Sequence, residues 1–257
     1  MYESRKKNAR KYASALVVAM IFGVSCSSKD HDYNGDGKVR IACVGDSNTE
    51  TLEWHTGSRS WCDLLADAVT DRGWVVTNYG VPATGVVKEG TPHLRLVMAE
   101  NPDVVIIAFG TVDLATHSVE KTLSGYRVLM KRLDERGLYG IVALTPFAIV
   151  AETSSVISLP TTIGMPIVHP AFNESVEKLN SALKREFASH QLLDFHQASV
   201  DHEGNVDETL FIDRIHLNAA GQFARAALAF EFLTGEKLSP VYSENREKTG
   251  RPKGSIL

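Results

Sequence analysis

The chain has 257 residues, 44% hydrophobic and 23% charged, with 19 Gly, 9 Pro and 3 Cys. That composition excludes a collagen, a coiled coil and a disordered chain, three cysteines are too few for a disulfide scaffold, and the length suits one domain with a single large core. The net charge of −4 hides an asymmetry: Arg5, Lys6, Lys7, Arg10 and Lys11 crowd the start against Glu3, and without residues 1–25 the balance is 22 basic to 30 acidic side chains, or −8, which argues against a nucleic-acid partner.

The basic stretch is followed by 13 mostly apolar residues, 12–24, and then by Ser25-Cys26-Ser27-Ser28. This is the layout of a signal peptide over residues 1–25, and the apolar run is too short for a spanning helix, which needs about 20 residues. A cysteine behind a small residue resembles the lipobox of bacterial lipoproteins, although Gly23 stands where the usual pattern has leucine. The resemblance implies a lipidated Cys26, and so a membrane-anchored protein facing the periplasm or displayed at the cell surface. A signal cleaved elsewhere and an uncleaved N-terminal anchor are the alternatives, and all three imply export.

Residues 26–38 are polar, turn-forming and aperiodic, and read as a tether. Asp32, Asn34, Asp36 and Gly37 copy the opening of an EF-hand loop, but the position of its closing bidentate glutamate is Cys43, so no calcium site is expected.

Residues 39–238 read as the folded domain. The runs 39–44, 74–79, 103–109 and 140–144 are short, rich in β-branched residues and bounded by Gly, Pro or polar residues, which predicts buried strands. Between them and after them, helical spacing recurs at Trp61, Leu64, Leu65 and Ala68; at Leu123, Tyr126, Leu129, Met130 and Leu133; at Val176, Leu179, Leu183 and Phe187; and at Phe223, Ala226, Phe230 and Leu233. A shorter helix is expected to open at Thr91-Pro92. Alternating strands and helices predict an α/β fold with a parallel sheet covered on both faces, its site at the carboxyl ends of the strands. Residues 239–257 read as a polar tail.

The strand ends carry the chemistry. The first strand runs into Gly45-Asp46-Ser47-Asn48-Thr49, where a serine on a tight strand-to-helix turn is either a nucleophile or a helix cap. The second glycine of a G-x-S-x-G elbow is missing. Before the last helix stands Asp213-Arg-Ile-His216-Leu-Asn-Ala-Ala-Gly221: an imidazole able to take a serine proton near neutral pH, with a carboxylate three residues away able to orient it.

Taken together, G-D-S after the first strand, Asn-Tyr-Gly80 after the second, Gly110-Thr-Val-Asp113 after the third and D-x-x-H-x-N-x-x-G before the final helix resemble the four blocks of the SGNH (GDSL) hydrolase family, in order and over roughly residues 39–235. The resemblance implies a flavodoxin-like three-layer α/β/α sandwich with a five-stranded parallel sheet. It also implies ester hydrolysis through an acyl-serine intermediate, without a cofactor. Ser47 would be the nucleophile, His216 the general base and then acid, and Asp213 its orienting partner, with the N–H groups of Ser47 and Gly80 facing the oxyanion. The third block departs from the family: its oxyanion asparagine is Val112 here, which has no donor. The Thr111 hydroxyl and the Asn48 amide are the nearest substitutes in sequence.

The expected substrate is a small acyl ester, on a glycan or a lipid; the alternative is a surface binding protein on a hydrolase-derived fold. Residues 146–171, long, apolar and proline-rich, are expected either to roof the substrate pocket or to pack as a surface insertion. Cys43 and Cys62 read as buried hydrophobes. His93, His117 and His169 lack metal-ligand spacing, and no dinucleotide fingerprint follows the first strand.

Overall fold

The computed structural model describes residues 31–50, 57–88, 90–150 and 171–239, with residues 90–93 as backbone. The signal peptide, Cys26, residues 151–170 of the long connection and the tail lie outside the described residues. The chain divides into two units after Asp30, and everything below concerns the second.

Five parallel strands form one sheet: β1 (Arg40–Gly45), β2 (Val75–Gly80), β3 (Val104–Ala108), β4 (Tyr139–Ala143) and β5 (Leu192–Leu193), in the order β2-β1-β3-β4-β5. The helices are α1 (Ser47–Glu50), α2 (Trp61–Ala68), α3 (Gly90–Ala99), α4 (Thr111–Thr116), α5 (Val119–Asp134), α6 (Phe172–Glu186) and α7 (Ala219–Thr234). Side chains alternate across each strand, so the sheet feeds two cores. Ile41, Cys43, Val104, Ile106 and Ile141 pack with Trp61 and Leu65 of α2 and with Ala226 and Phe230 of α7. Ala42, Val44, Val105, Ile107 and Val142 pack with Leu94 of α3, Tyr126 and Leu129 of α5, and Leu179 and Leu183 of α6. This two-sided burial is why β1 and β3 read as continuous apolar runs: each fully buried side chain of this kind contributes about 1.5–3 kcal/mol. Cys43 and Cys62 are free thiols in the first of these cores.

Two expectations need correction. The second strand was expected to be buried, but β2 is an edge strand and Val75 is 51% exposed. At the other edge β5 has only two residues, too few to show a period. Residues 31–38, expected to belong to the tether, are docked at the amino ends of the strands. His31 Nε2 lies 2.7 Å from the Leu233 carbonyl oxygen, the Asn34 N–H donates to the carboxylate of Asp103 at 3.0 Å, and the Tyr33 ring stacks on Tyr139 at 4.9 Å. Within this segment the Asp32 carboxylate accepts the N–H groups of Asp36 and Gly37, and the Arg40 guanidinium sits 2.6 Å from Asp36. The EF-hand-like opening therefore spends its carboxylates on its own backbone and on an arginine.

Candidate active site

In the order β2-β1-β3 the chain reverses direction across the sheet at β1, and ligands of open α/β sheets gather at the carboxyl ends of the strands beside such a reversal. Ser47 stands there, at the first position of α1, immediately after β1. Asp46 builds the turn that carries it: its carbonyl accepts the N–H groups of Thr49 and Glu50, each at 3.0 Å, and its carboxylate accepts the N–H of Asn48 at 3.0 Å. Gly80, at the end of β2, lies so close that a Cβ there would overlap the Glu50 backbone nitrogen, so this approach needs glycine.

The loop before α7 brings in the other two groups. Ser47 Oγ lies 2.9 Å from His216 Nε2, and His216 Nδ1 lies 2.7 Å from Asp213 Oδ2. The other oxygen of Asp213 accepts the backbone N–H groups of Ile215 and His216, both at 2.7 Å, so the carboxylate closes its own loop as it orients the ring. Burial works to raise the Asp213 carboxyl, but the hydrogen bonds from the His216 ring and from these two N–H groups outweigh it and hold the group well below the ordinary carboxylate range. His216 itself is only 3% exposed. Asn218, two residues on, caps α7 by accepting the N–H groups of Ala220 and Gly221.

Asn48 turns out to hold the loop, not the oxyanion. Its side-chain N–H₂ donates to the Ile215 carbonyl at 3.1 Å and its side-chain oxygen accepts the Leu217 N–H at 3.1 Å, so one amide grips the backbone on both sides of His216. Thr111, the other substitute expected from sequence, is 6% exposed and lines an internal cavity with Asp46 and Arg225. Gly80 also departs from expectation, because its N–H donates to the side-chain oxygen of Asn78 at 2.9 Å. Val112 is half-buried at the second position of α4, where the family pattern puts its asparagine.

Two features, at Ala83 and Ile149, were missed in the sequence, while Asp113 bonds to backbone as its place in the third block suggests. Ala83, in the turn after β2, has φ 58°, a left-handed conformation that costs a residue with a Cβ about 1–2 kcal/mol and that collects at functional sites. Asp113 accepts the N–H groups of Val86 and Val87 at 2.9 and 3.0 Å, which ties that turn to α4. Ile149 donates its N–H to the Arg214 carbonyl at 2.8 Å, so the start of the long connection lies against the Asp213–His216 loop.

Residues 43–224, more than half the chain, match the GDSL-like Lipase/Acylhydrolase family. A search of curated proteins found no match. Among solved structures, an acetylxylan esterase from Geobacillus stearothermophilus, in a catalytic mutant form, is similar with TM-score 0.59 and 15% identity over 79% of this chain and 97% of that one. A member of the lipolytic G-D-S-L family from Veillonella parvula gives TM-score 0.58 and 18% identity over 75% and 97% of the two chains. A GDSL-like lipase from Bacteroides thetaiotaomicron gives 0.53 and 14% over 77% and 89%. At these identities the neighbours show the fold, and the match over residues 43–224 assigns the protein: the chain belongs to the GDSL-like lipase/acylhydrolase family of serine ester hydrolases.

Proposed function

We propose that the chain is an exported esterase that cleaves a small acyl ester, on a carbohydrate or a lipid, with Ser47 as nucleophile, His216 as general base and acid, and Asp213 as the group that orients His216. The observation that carries this reading is the unbroken hydrogen-bonded series from Ser47 Oγ through His216 to Asp213, at 2.9 and 2.7 Å.

In this mechanism Ser47 Oγ attacks the ester carbonyl while His216 Nε2 takes its proton, and Asp213 stabilises the imidazolium that forms. The tetrahedral oxyanion is met by the Ser47 N–H, which at the first position of α1 has no acceptor within the helix. With the Gly80 N–H engaged by Asn78, the Ser47 N–H is the one backbone donor assigned in this reading. Collapse breaks the ester C–O bond, and the imidazolium returns the proton to the departing alcohol. Water, deprotonated by His216, then attacks the acyl-serine, releasing the acid and restoring Ser47. The acetylxylan esterase neighbour supports a short acyl group on a carbohydrate as the first substrate to try.

Val112 favours a second reading, a surface binding protein of weak or no turnover. Hydrolysis of p-nitrophenyl acetate and butyrate by the wild type and by Ser47→Ala separates the two, together with labelling by a fluorophosphonate. The wild type should turn over and be labelled, Ser47→Ala should do neither, and the label should be lost in His216→Ala. Equal rates for wild type and Ser47→Ala would end the esterase assignment to this site.

A further inference from the structure

Helix α7 presents two polar side chains to the turn that carries Ser47. Gln222 donates to the Asn48 carbonyl at 3.2 Å and accepts the Trp61 N–H at 3.0 Å. Arg225, one turn further along, is 2% exposed, yet its Nε has no hydrogen-bond partner and no carboxylate among the described residues lies within ion-pair distance of it. Its guanidinium stands over the Phe195 ring, 5.2 Å from the centroid, and borders a cavity of about 10 Å³ shared with Asp46 and Thr111, which has room for one water. A buried cation with no carboxylate against it is costly, and among the described residues the ring of Phe195 and the cavity are what this one faces. The group across the cavity is Asp46, 3% exposed and next to Ser47 in the chain.

We propose that Arg225 is a positioning residue for ester hydrolysis: its guanidinium faces the Asp46 carboxylate across this cavity and so helps to hold the Asp46–Asn48 turn that presents Ser47. The inference rests on Ser47 and His216 being the reacting pair. The titratable groups facing Asp46 are Arg225 from α7, His216 from the loop before it, and Asp113 from α4; a positive charge on either of the first two favours the carboxylate and a negative charge on the third opposes it. Burial pushes the Asp46 carboxyl up to about 6, with the Asn48 N–H and Arg225 pulling the other way, so the group is ionised at neutral pH by a narrow margin. Burial also brings Arg225 down to about 10, which leaves it protonated at every pH at which the enzyme would work. Without that charge the carboxyl takes up its proton near neutrality, its bond to the Asn48 N–H weakens, and the serine turn loses its brace.

A residue that merely filled space would not move a titration, and this distinguishes the two roles. The test is the pH dependence of kcat and KM for p-nitrophenyl acetate, from pH 5 to 9, in the wild type, Arg225→Gln, Arg225→Lys and Ser47→Ala. A neighbouring opposite charge is worth about 1–3 pK units, so Arg225→Gln should carry the acid limb upward by about one to two units and lower kcat at pH 7 roughly two- to tenfold. KM should be little changed and the rate should recover by pH 9, while Arg225→Lys, which keeps the charge, should follow the wild-type profile. The Asp46 carboxyl carbon, assigned with Asp46→Asn, should show the same upward shift by ¹³C NMR, a readout that does not depend on turnover. If Arg225→Gln does not fold, Arg225→Met, of similar length and apolar, takes its place. A loss equal at every pH, or an unmoved Asp46 titration, overturns the role of Arg225. Wild-type rates in Ser47→Ala overturn instead the assignment of the site on which it rests.

Discussion

Val112 is the residue on which the catalytic power of this site turns. Of the side chains that sequence offered in its place, Asn48 holds the backbone of Ile215 and Leu217, and Thr111 is buried beside the cavity it shares with Asp46 and Arg225. Val112 removes the side-chain donor that the family pattern places at this position, and the loss of one such donor typically costs about 10²–10³ in kcat. Val112→Asn should therefore raise kcat toward that bound with KM little changed, because a bond that strengthens as charge develops on the carbonyl oxygen acts on the transition state more than on the bound ester. A half-buried amide without a ground-state partner also costs about 1–3 kcal/mol, so the variant should be somewhat less stable. Steady-state kinetics on p-nitrophenyl acetate and urea unfolding measure the two effects. A fall in kcat in a variant that remains folded would show that the hole is already complete.

At the scale of elements, the site is a junction between the β1–α1 turn and the loop before α7, and Asn48 is the joint. Removing its amide in Asn48→Ala leaves the Ile215 carbonyl and the Leu217 N–H without partners, in residues 5% and 0% exposed. At about 1–3 kcal/mol for each buried group left unpaired, the variant should lose roughly 2–6 kcal/mol in urea unfolding and much of its kcat, since His216 lies between the two freed groups. Stability within experimental error of the wild type would mean that Asp213 and the backbone bond from Ile149 hold the loop without Asn48. Such a joint could not be read from the chain, because its partners are 167 and 169 positions away. What periodicity does reveal is local: β1, β3 and β4, the helical faces of α2, α5, α6 and α7, and the close i, i+3 pair Asp213 and His216. Where local signal fails, a physical reason is at hand. The two residues of β5 carry no period, the N–H of Gly80 was claimed by a side chain two residues away, and residues 31–38 look like a tether because their anchors, Asp103, Tyr139 and Leu233, are distant in sequence.

For the molecule as a whole, the two aspartates at the site act on stability in opposite directions as pH changes. Asp213 titrates lower in the folded than in the unfolded chain, so the folded state holds its proton less tightly; its contribution is present above the ordinary aspartate range and is lost as pH falls through the folded value. Asp46 is the reverse case. Its carboxyl is pushed up by burial to about 6 in the folded chain against 3.8 for an ordinary aspartate, so between these values the folded chain binds more protons than the unfolded one. Stability must then fall as pH rises across that window and level off above it. A shift of about two units corresponds to at most roughly 3 kcal/mol. The difference in unfolding free energy between wild type and Asp46→Asn, whose amide cannot ionise, isolates this effect from all other carboxylates. Measured by urea unfolding at half-unit steps from pH 3.5 to 7.5, that difference should decline from pH 4 to 6 in favour of the variant and then stay constant. A difference that does not change with pH would mean that Asp46 titrates like an exposed carboxyl, and that the core beneath Ser47 holds its charge at no cost to the fold.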